Sequence, residues 1–283
     1  MSLRKSAFSG SWYPADARAC ENQIKDFLEE GKDRSTSLPN PVGGIVPHAG
    51  WYFSGSIACN VIHQVAKATA PDVVVVFGMH MHAGSPRVIM PEGEWETPFG
   101  PLAVDTALAN EITRQYDFQL ESPTRFHQDN TIELQMPFIR YFFKDVRVVA
   151  MGVPPTPETL ALAESVVETS NNLNLGIAVI GSTDLTHYGP NYGFTSKGYG
   201  AEAVDWVRNE NDRSVIDAMI RMDARAVLRE GQKKSNACCC GAAAAAITAG
   251  KALGAEKAEE LIYATSYDKS PGDSFVGYVG IVF

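Results

Sequence analysis

The chain has 283 residues, 45% of them hydrophobic and 20% charged, enough to bury a sizeable core as one large domain or two small ones. A formal net charge of −9 and a pI near 5.2, with no Lys/Arg cluster, exclude nucleic acid as the main partner, because polyanion binders carry a basic footprint. No apolar run approaches the roughly 20 residues of a bilayer span, and the opening Met1-Ser2-Leu3-Arg4-Lys5-Ser6 leads into Gly and Pro rather than an apolar signal core, so a cytoplasmic protein with no membrane partner is expected.

Along the chain, residues 16–30 carry a helical pattern with Ile24, Phe27 and Leu28 on one face. Residues 35–41 form a polar, Pro-containing connection. A short apolar strand then ends in Pro47-His48-Ala49-Gly50, a helix is predicted over 54–68, and a second strand over 73–77 runs into Gly78-Met79-His80-Met81-His82. Residues 86–104 read as a hairpin excursion. Helices are predicted over 106–116 and 131–143, a strand over 146–153, a helix over 157–171, and a third site-bearing strand over 175–181 that runs into Ser182-Thr183-Asp184-Leu185-Thr186-His187. Two or three helices over 201–229, an alanine-rich one over 241–252 and two closing strands over 261–266 and 274–283 complete the reading. Strands alternating with helices imply a single α/β domain over 1–283, its mostly parallel or mixed sheet covered by helices on both faces.

Three apolar strands followed at once by polar or imidazole residues point to one site, since ligands in open α/β sheets bind outside the carboxyl ends of the strands. Four of the six histidines and one aspartate converge there on this reading. His80 and His82 differ by two positions and point to the same side only if the segment is extended, so one ligand and one structural histidine is expected of them. Asp184 and His187, three apart, suit a carboxylate that orients an imidazole base, or a turn that Asp184 caps.

Five cysteines, three of them the consecutive Cys238-Cys239-Cys240, make a poor disulfide framework and imply reduced thiols. Cys240 opens the alanine-rich helix, where the dipole and free N–H groups favour a thiolate; Cys238 and Cys239 read as packing residues. Histidines with a thiolate suit iron or copper, with zinc in the same range of donors. In Asp129-Asn130-Thr131-Ile132-Glu133, Asn130 or Thr131 is the expected helix cap and Glu133 a complement to the helix dipole. Neither a phosphate-binding glycine loop nor the G-x-S-x-G elbow of serine hydrolases occurs.

In order, Ser9-Gly10-Ser11-Trp12-Tyr13-Pro14, Pro47-His48-Ala49-Gly50-Trp51-Tyr52-Phe53-Ser54-Gly55, Glu133-Leu134-Gln135-Met136-Pro137, Ser182-Thr183-Asp184-Leu185-Thr186-His187-Tyr188-Gly189, Cys240-Gly241, Ala264-Thr265-Ser266 and Val276-Gly277-Tyr278 resemble the Memo family, also called AmmeMemoRadiSam system protein B. The resemblance implies a fold like that of class III extradiol dioxygenases and a metal pocket. It places the ligands on His48, on His82 or His80, and on Cys240, with Asp184 and His187 beside them. His82 is the favoured alternative because His82-Ala83-Gly84 matches the family's His-x-Gly continuation. Where the family carries a His-Ser pair before the glutamate, this chain has Asn130-Thr131.

The expected function is metal binding, with metal-dependent redox or oxygen chemistry in which His187 is the base. Two alternatives stand beside it. One is a binding module that takes a peptide or small-molecule ligand against Trp12, Trp51 and Tyr52. The other is a thiol enzyme with Cys240 as nucleophile and His187 as base. A homo-oligomer is compatible with either.

Overall fold

The computed structural model describes residues 2–283. Its strands are β1 (Leu3–Arg4), β2 (Gly43–Val46), β3 (Val73–Gly78), β4 (Val88–Ile89), β5 (Glu94–Trp95), β6 (Leu102–Ala103), β7 (Gln119–Leu120), β8 (Arg147–Gly152), β9 (Ile177–Ser182), β10 (His187–Tyr188), β11 (Glu259–Thr265) and β12 (Phe275–Val282). The main sheet runs β10-β12-β2-β9-β3-β8-β4-β7, with β11 paired to β12. Its centre, β2, β9, β3 and β8, is parallel, whereas β12 on one side and β4 on the other join it antiparallel. The apolar runs of β2, β3 and β9 are buried throughout, as strands covered on both faces must be. The excursion over 86–104 includes the hairpin β5-β6, which joins β1 in a separate three-stranded sheet.

Register levels the carboxyl ends of the parallel strands. Val46 lies opposite Ser182, and Phe77 lies opposite both Gly181 and Met151. The residues that follow β2, β3 and β9 therefore leave the sheet at one edge, which is where His48, His80 and Asp184 stand.

Two helices set that edge. Trp51–Ala68 starts three residues earlier than its pattern predicts, directly after its cap Gly50; Trp51 is thereby drawn into the core, stacked on Phe138 at 4.1 Å. Cys240–Ala252 crosses the sheet on its run of five alanines, Ala242 to Ala246. Its approach to β9 is close enough that a Cβ on Gly181 would lie 2.7 Å from the Ala246 methyl and 2.8 Å from the Ala242 carbonyl oxygen. Small residues on both surfaces thus seat the start of this helix, and the cysteines before it, against the loop that follows β9.

The helix predicted over 131–143 divides into Asn130–Glu133 and Met136–Phe142. Pro137 lacks an N–H and fits only a first turn, so a new helix begins there. The cap of the first piece is Asp129, whose carboxylate accepts from the Ile132 N–H, rather than Asn130 or Thr131. Among the described residues no helix is long and apolar enough to cross a membrane.

Candidate metal centre

His48 follows Pro47 at the end of β2 and is held on every side. Its N–H donates to Asp184 Oδ1 at 2.7 Å, its carbonyl accepts from Asn130 Nδ2 at 2.9 Å, and Gln135 Nε2 donates to the preceding Pro47 carbonyl at 3.0 Å. The ring is fixed as firmly. Ser182 Oγ donates to the Thr131 carbonyl at 2.7 Å and lies 3.0 Å from His48 Nδ1. A hydroxyl has one proton to donate, so Nδ1–H of His48 donates to Ser182, and Nε2 is turned to Cys238 Sγ at 3.3 Å.

His80 reaches the same point through a backbone turn. Met79, directly after β3, has φ of +70°, a left-handed conformation that a non-glycine residue adopts at some energetic cost. Its N–H is held by Thr131 Oγ1 at 2.7 Å. The chain then carries the His80 ring edge-on to His48, with centroids 4.9 Å apart, and within hydrogen-bonding reach of Cys238. Asp129 Oδ2 is 3.9 Å from His80 Nδ1. His82, favoured by the sequence resemblance, is placed outside this group. It is exposed, and its Nδ1 accepts from the Gly84 N–H in its own turn. The segment is not extended, so the two side chains do not share a direction.

The cysteine assignment changes as well. Cys238 N–H donates to the Asp184 carbonyl at 3.1 Å, and Cys239 N–H donates to Thr183 Oγ1 at 3.0 Å. Both thus dock on the loop after β9. Four donor atoms, one each from His48, His80, Cys238 and Cys239, lie within 4.8 Å of one another. Cys240 is not among them. Its sulfur packs on Gly231, where a Cβ would come within 2.7 Å of it. Burial pushes its thiol up to about 11, against the stabilisation offered by the helix N–H groups. Desolvation outweighs the helix terminus here. Nor does Cys240 line the cavities that His187 faces, so a Cys240–His187 nucleophile and base are not assembled.

The charges of the group are mutually dependent. Burial opposes protonation of His48, but Asp184 and the Cys238 sulfur override it and lift the imidazole to about 9. For Cys238 burial raises the thiol, while the contact with Cys239, the charge of His48 and hydrogen bonds from both histidines hold it well below the ordinary thiol range. Cys239 moves the other way, pushed up by burial and by its neighbour's sulfur. Both shifts favour imidazolium and thiolate in the pair, a donor set ready to exchange a proton for a cation.

Asp184 serves His48 rather than His187. Burial raises its carboxyl and His48 lowers it, and Oδ2 is 3.8 Å from His48 Nε2. His187 instead sets Nδ1 3.2 Å from the Leu185 carbonyl and meets Tyr192 edge-on. It stands on the wall of a cavity of about 630 Å³ that His48, His80 and Asp184 also line, with the exposed Trp12 and Tyr52 beside them. Trp51, expected in that aromatic wall, is 1% exposed and belongs to the core.

From the sequence, Cys238 reads only as a packing residue and Asn130 only as a helix cap, while Ser182 and Gln135 have no role. A signal existed only for Cys238: three successive cysteines before a helix cannot all face one way, and the last belongs to the helix and its packing. The contacts of Asn130 and Gln135 with the 47–48 backbone span more than 80 positions and leave no local pattern.

A profile of the Memo-like protein family matches residues 4–282. MEMO1 family protein PF1638 of Pyrococcus furiosus is 33% identical over 293 residues, covering 99% of this chain and 98% of its own. MEMO1 family protein MK0963 of Methanopyrus kandleri is 31% identical over 296 residues, covering 99% and 98%. Among solved structures, the uncharacterized protein JW3007 of Escherichia coli K12 matches with a TM-score of 0.52 at 10% identity, over 85% of this chain and 98% of its own, a likeness of fold alone. On the family profile and these full-length relatives, the chain belongs to the Memo family.

Proposed function

We propose that this Memo-family protein binds a transition-metal ion through His48, His80 and Cys238, and that its role is metal-dependent redox or oxygen chemistry in a pocket of the extradiol-dioxygenase type. The observation that carries this reading is the convergence of His48 Nε2 and Cys238 Sγ at 3.3 Å, with His80 beside them. Cys239 is left out of the trio because its thiol is held in the protonated form. Two imidazoles and a thiolate suit copper or iron, with zinc also in range. Ring cleavage by the extradiol route relies on two histidines and a carboxylate, and the softer thiolate at that place favours electron transfer. Iron or copper held by these residues would supply one-electron redox chemistry, which zinc would not. The protein holds His48 in the ligating tautomer through Ser182. It also offers His187, whose Nδ1–H satisfies the Leu185 carbonyl and leaves Nε2 to take a proton from a molecule in the cavity. Free thiols at all five cysteines suit the reducing cytoplasm.

Elemental analysis of protein purified without chelator tests this reading. Near-stoichiometric iron or copper is expected in the wild type and lost in His48→Ala and Cys238→Ala. No metal in any sample, even after anaerobic reconstitution, overturns it.

A second reading, a ligand-binding module without turnover, is favoured by the exposure of Trp12 (40%) and Tyr52 (62%) at the rim of the cavity. Aromatic rims of this kind recognise peptides or flat small molecules. Binding that persists in chelator and disappears in Trp12→Ala supports it, and a peptide array with no wild-type signal counts against it.

A further inference from the structure

We propose that Cys238 and Cys239 form a two-thiol redox switch, in which a hydroperoxide closes a disulfide between them and withdraws the Cys238 sulfur from the histidines. The loss of metal that follows rests on the metal reading above; the disulfide does not.

Geometry selects this pair from the five cysteines. The two sulfurs are 3.7 Å apart, and both backbone N–H groups are docked on the same Thr183-Asp184 loop. Cys238 lines a second cavity, of about 620 Å³, beside His80, His187 and Tyr192, so an oxidant in solvent reaches it. Cys239 is 3% exposed and meets an oxidised sulfur only from within. Cys240 is turned onto Gly231, and Cys20 and Cys59 are wholly buried.

The chemistry needs no group beyond the two thiols and the hydroperoxide. The Cys238 sulfur attacks the terminal peroxide oxygen and the O–O bond breaks. Cys238 becomes a sulfenic acid, and the proton shared by its sulfur and His48 leaves with the departing alkoxide as an alcohol. The Cys239 sulfur then displaces the hydroxyl; the S–S bond forms and hydroxide departs as water with the Cys239 proton. Two thiols are oxidised and one peroxide is reduced, giving one alcohol and one water. Adjacent Cα atoms are about 3.8 Å apart, shorter than the roughly 4.4–6.8 Å span that unstrained disulfides use. A bond made there is strained and easily reduced, which suits a reversible switch rather than a staple.

The test treats chelator-stripped protein with one equivalent of hydrogen peroxide, alkylates the remaining thiols after denaturation and maps tryptic peptides. The intact mass is expected to fall by two hydrogen atoms. The peptide over 235–251, which holds all three neighbouring cysteines, is expected to carry one alkyl group, on Cys240, with all three restored by dithiothreitol. In Cys239→Ser the oxidation is expected to stop at a dimedone-reactive sulfenic acid on Cys238. Three alkylated cysteines in the treated wild type, oxygen adducts on Cys238 beside a free Cys239, or the same loss of hydrogen in Cys239→Ser each overturn the proposal. Cobalt titration of both forms separates the two readings. Binding by the reduced protein only supports the whole switch, and equal binding by both overturns the claim that the sulfur is withdrawn. No binding by either form, beside a mapped disulfide, supports the thiol switch and removes the metal reading alone.

Discussion

Nε2 of His48 and Sγ of Cys238 stand 3.3 Å apart although 190 positions separate them in the chain. Each arrives on its own element, His48 from the end of β2 and Cys238 from the turn before the alanine-rich helix, and Asp184 fastens both backbones, through its carboxylate to His48 and its carbonyl to Cys238. Removing either side chain should abolish stoichiometric cobalt binding. Cys240→Ala and His82→Ala should titrate like the wild type, because one sulfur packs on Gly231 and the other ring is bonded within its own turn. The sulfur-to-cobalt charge-transfer band is the readout. Its persistence in Cys238→Ala with loss in Cys240→Ala would reverse the assignment.

Ser182 is not among the proposed ligands, yet it fixes which nitrogen of His48 faces the sulfur. With its proton committed to the Thr131 carbonyl, its oxygen takes the Nδ1–H. Ser182→Ala frees the ring to change tautomer, and metal affinity should fall by roughly 10–100-fold, the usual consequence of losing an outer-sphere partner. Competition titration against a chelator measures it. Ser182→Thr, which keeps the hydroxyl, should recover most of the loss.

The strand ends that bear the site are legible because long Val/Ile runs ending in Gly, Pro or polar residues admit little besides buried parallel strands. That is enough to bring His48, Asp184 and the 78–82 segment to one edge. The choice between His80 and His82 is not legible, since it turns on the left-handed Met79 and on the Thr131 hydroxyl that holds its N–H, a contact across 52 positions. Cys238 escapes for a similar reason. A helix N-terminus argues for Cys240 locally, but the closeness of Gly231 decides that this sulfur is buried.

Asp212 supplies a pH dependence away from the proposed metal site. It is wholly buried, accepts from the Thr186 N–H at 3.0 Å, the Thr186 hydroxyl and the Tyr263 hydroxyl at 2.8 Å, and leaves no room for a side chain on Gly277. Burial lifts its carboxyl from 3.8 to about 7 against those hydrogen bonds. Between these values the folded protein holds a proton that the unfolded chain has released. The stabilisation is therefore complete below about pH 4 and is lost as pH rises through 7, over a range of at most about 4 kcal/mol. Urea midpoints should fall from pH 5 to pH 8 in the wild type and fall less steeply in Asp212→Asn. Equal slopes would show that this carboxyl is not the source.

Glu133 holds the N-terminal arm that brings Trp12 to the cavity. Its buried carboxylate accepts from the N–H groups of Ala7 at 2.9 Å and Phe8 at 2.8 Å and from the Tyr13 hydroxyl at 3.1 Å, while the Trp12 carbonyl receives the first N–H of the helix Trp51–Ala68. The arm is also fastened further back, where the Arg4 guanidinium lies between the Trp95 and Phe126 rings and pairs with Glu121 at 2.7 Å. Glu133→Ala leaves three donors facing a void, and a buried donor without a partner costs about 1–3 kcal/mol. The loss should stay near 3 kcal/mol in total because the freed arm can admit water. Glu133→Gln should lose less, since its carbonyl oxygen still accepts. Hydrogen exchange separates this from a general loss of stability: the Ala7 and Phe8 amides should exchange faster in Glu133→Ala while those of β3 and β9 keep their protection relative to global unfolding. Uniform acceleration would mean that Glu133 supports the whole core rather than the arm.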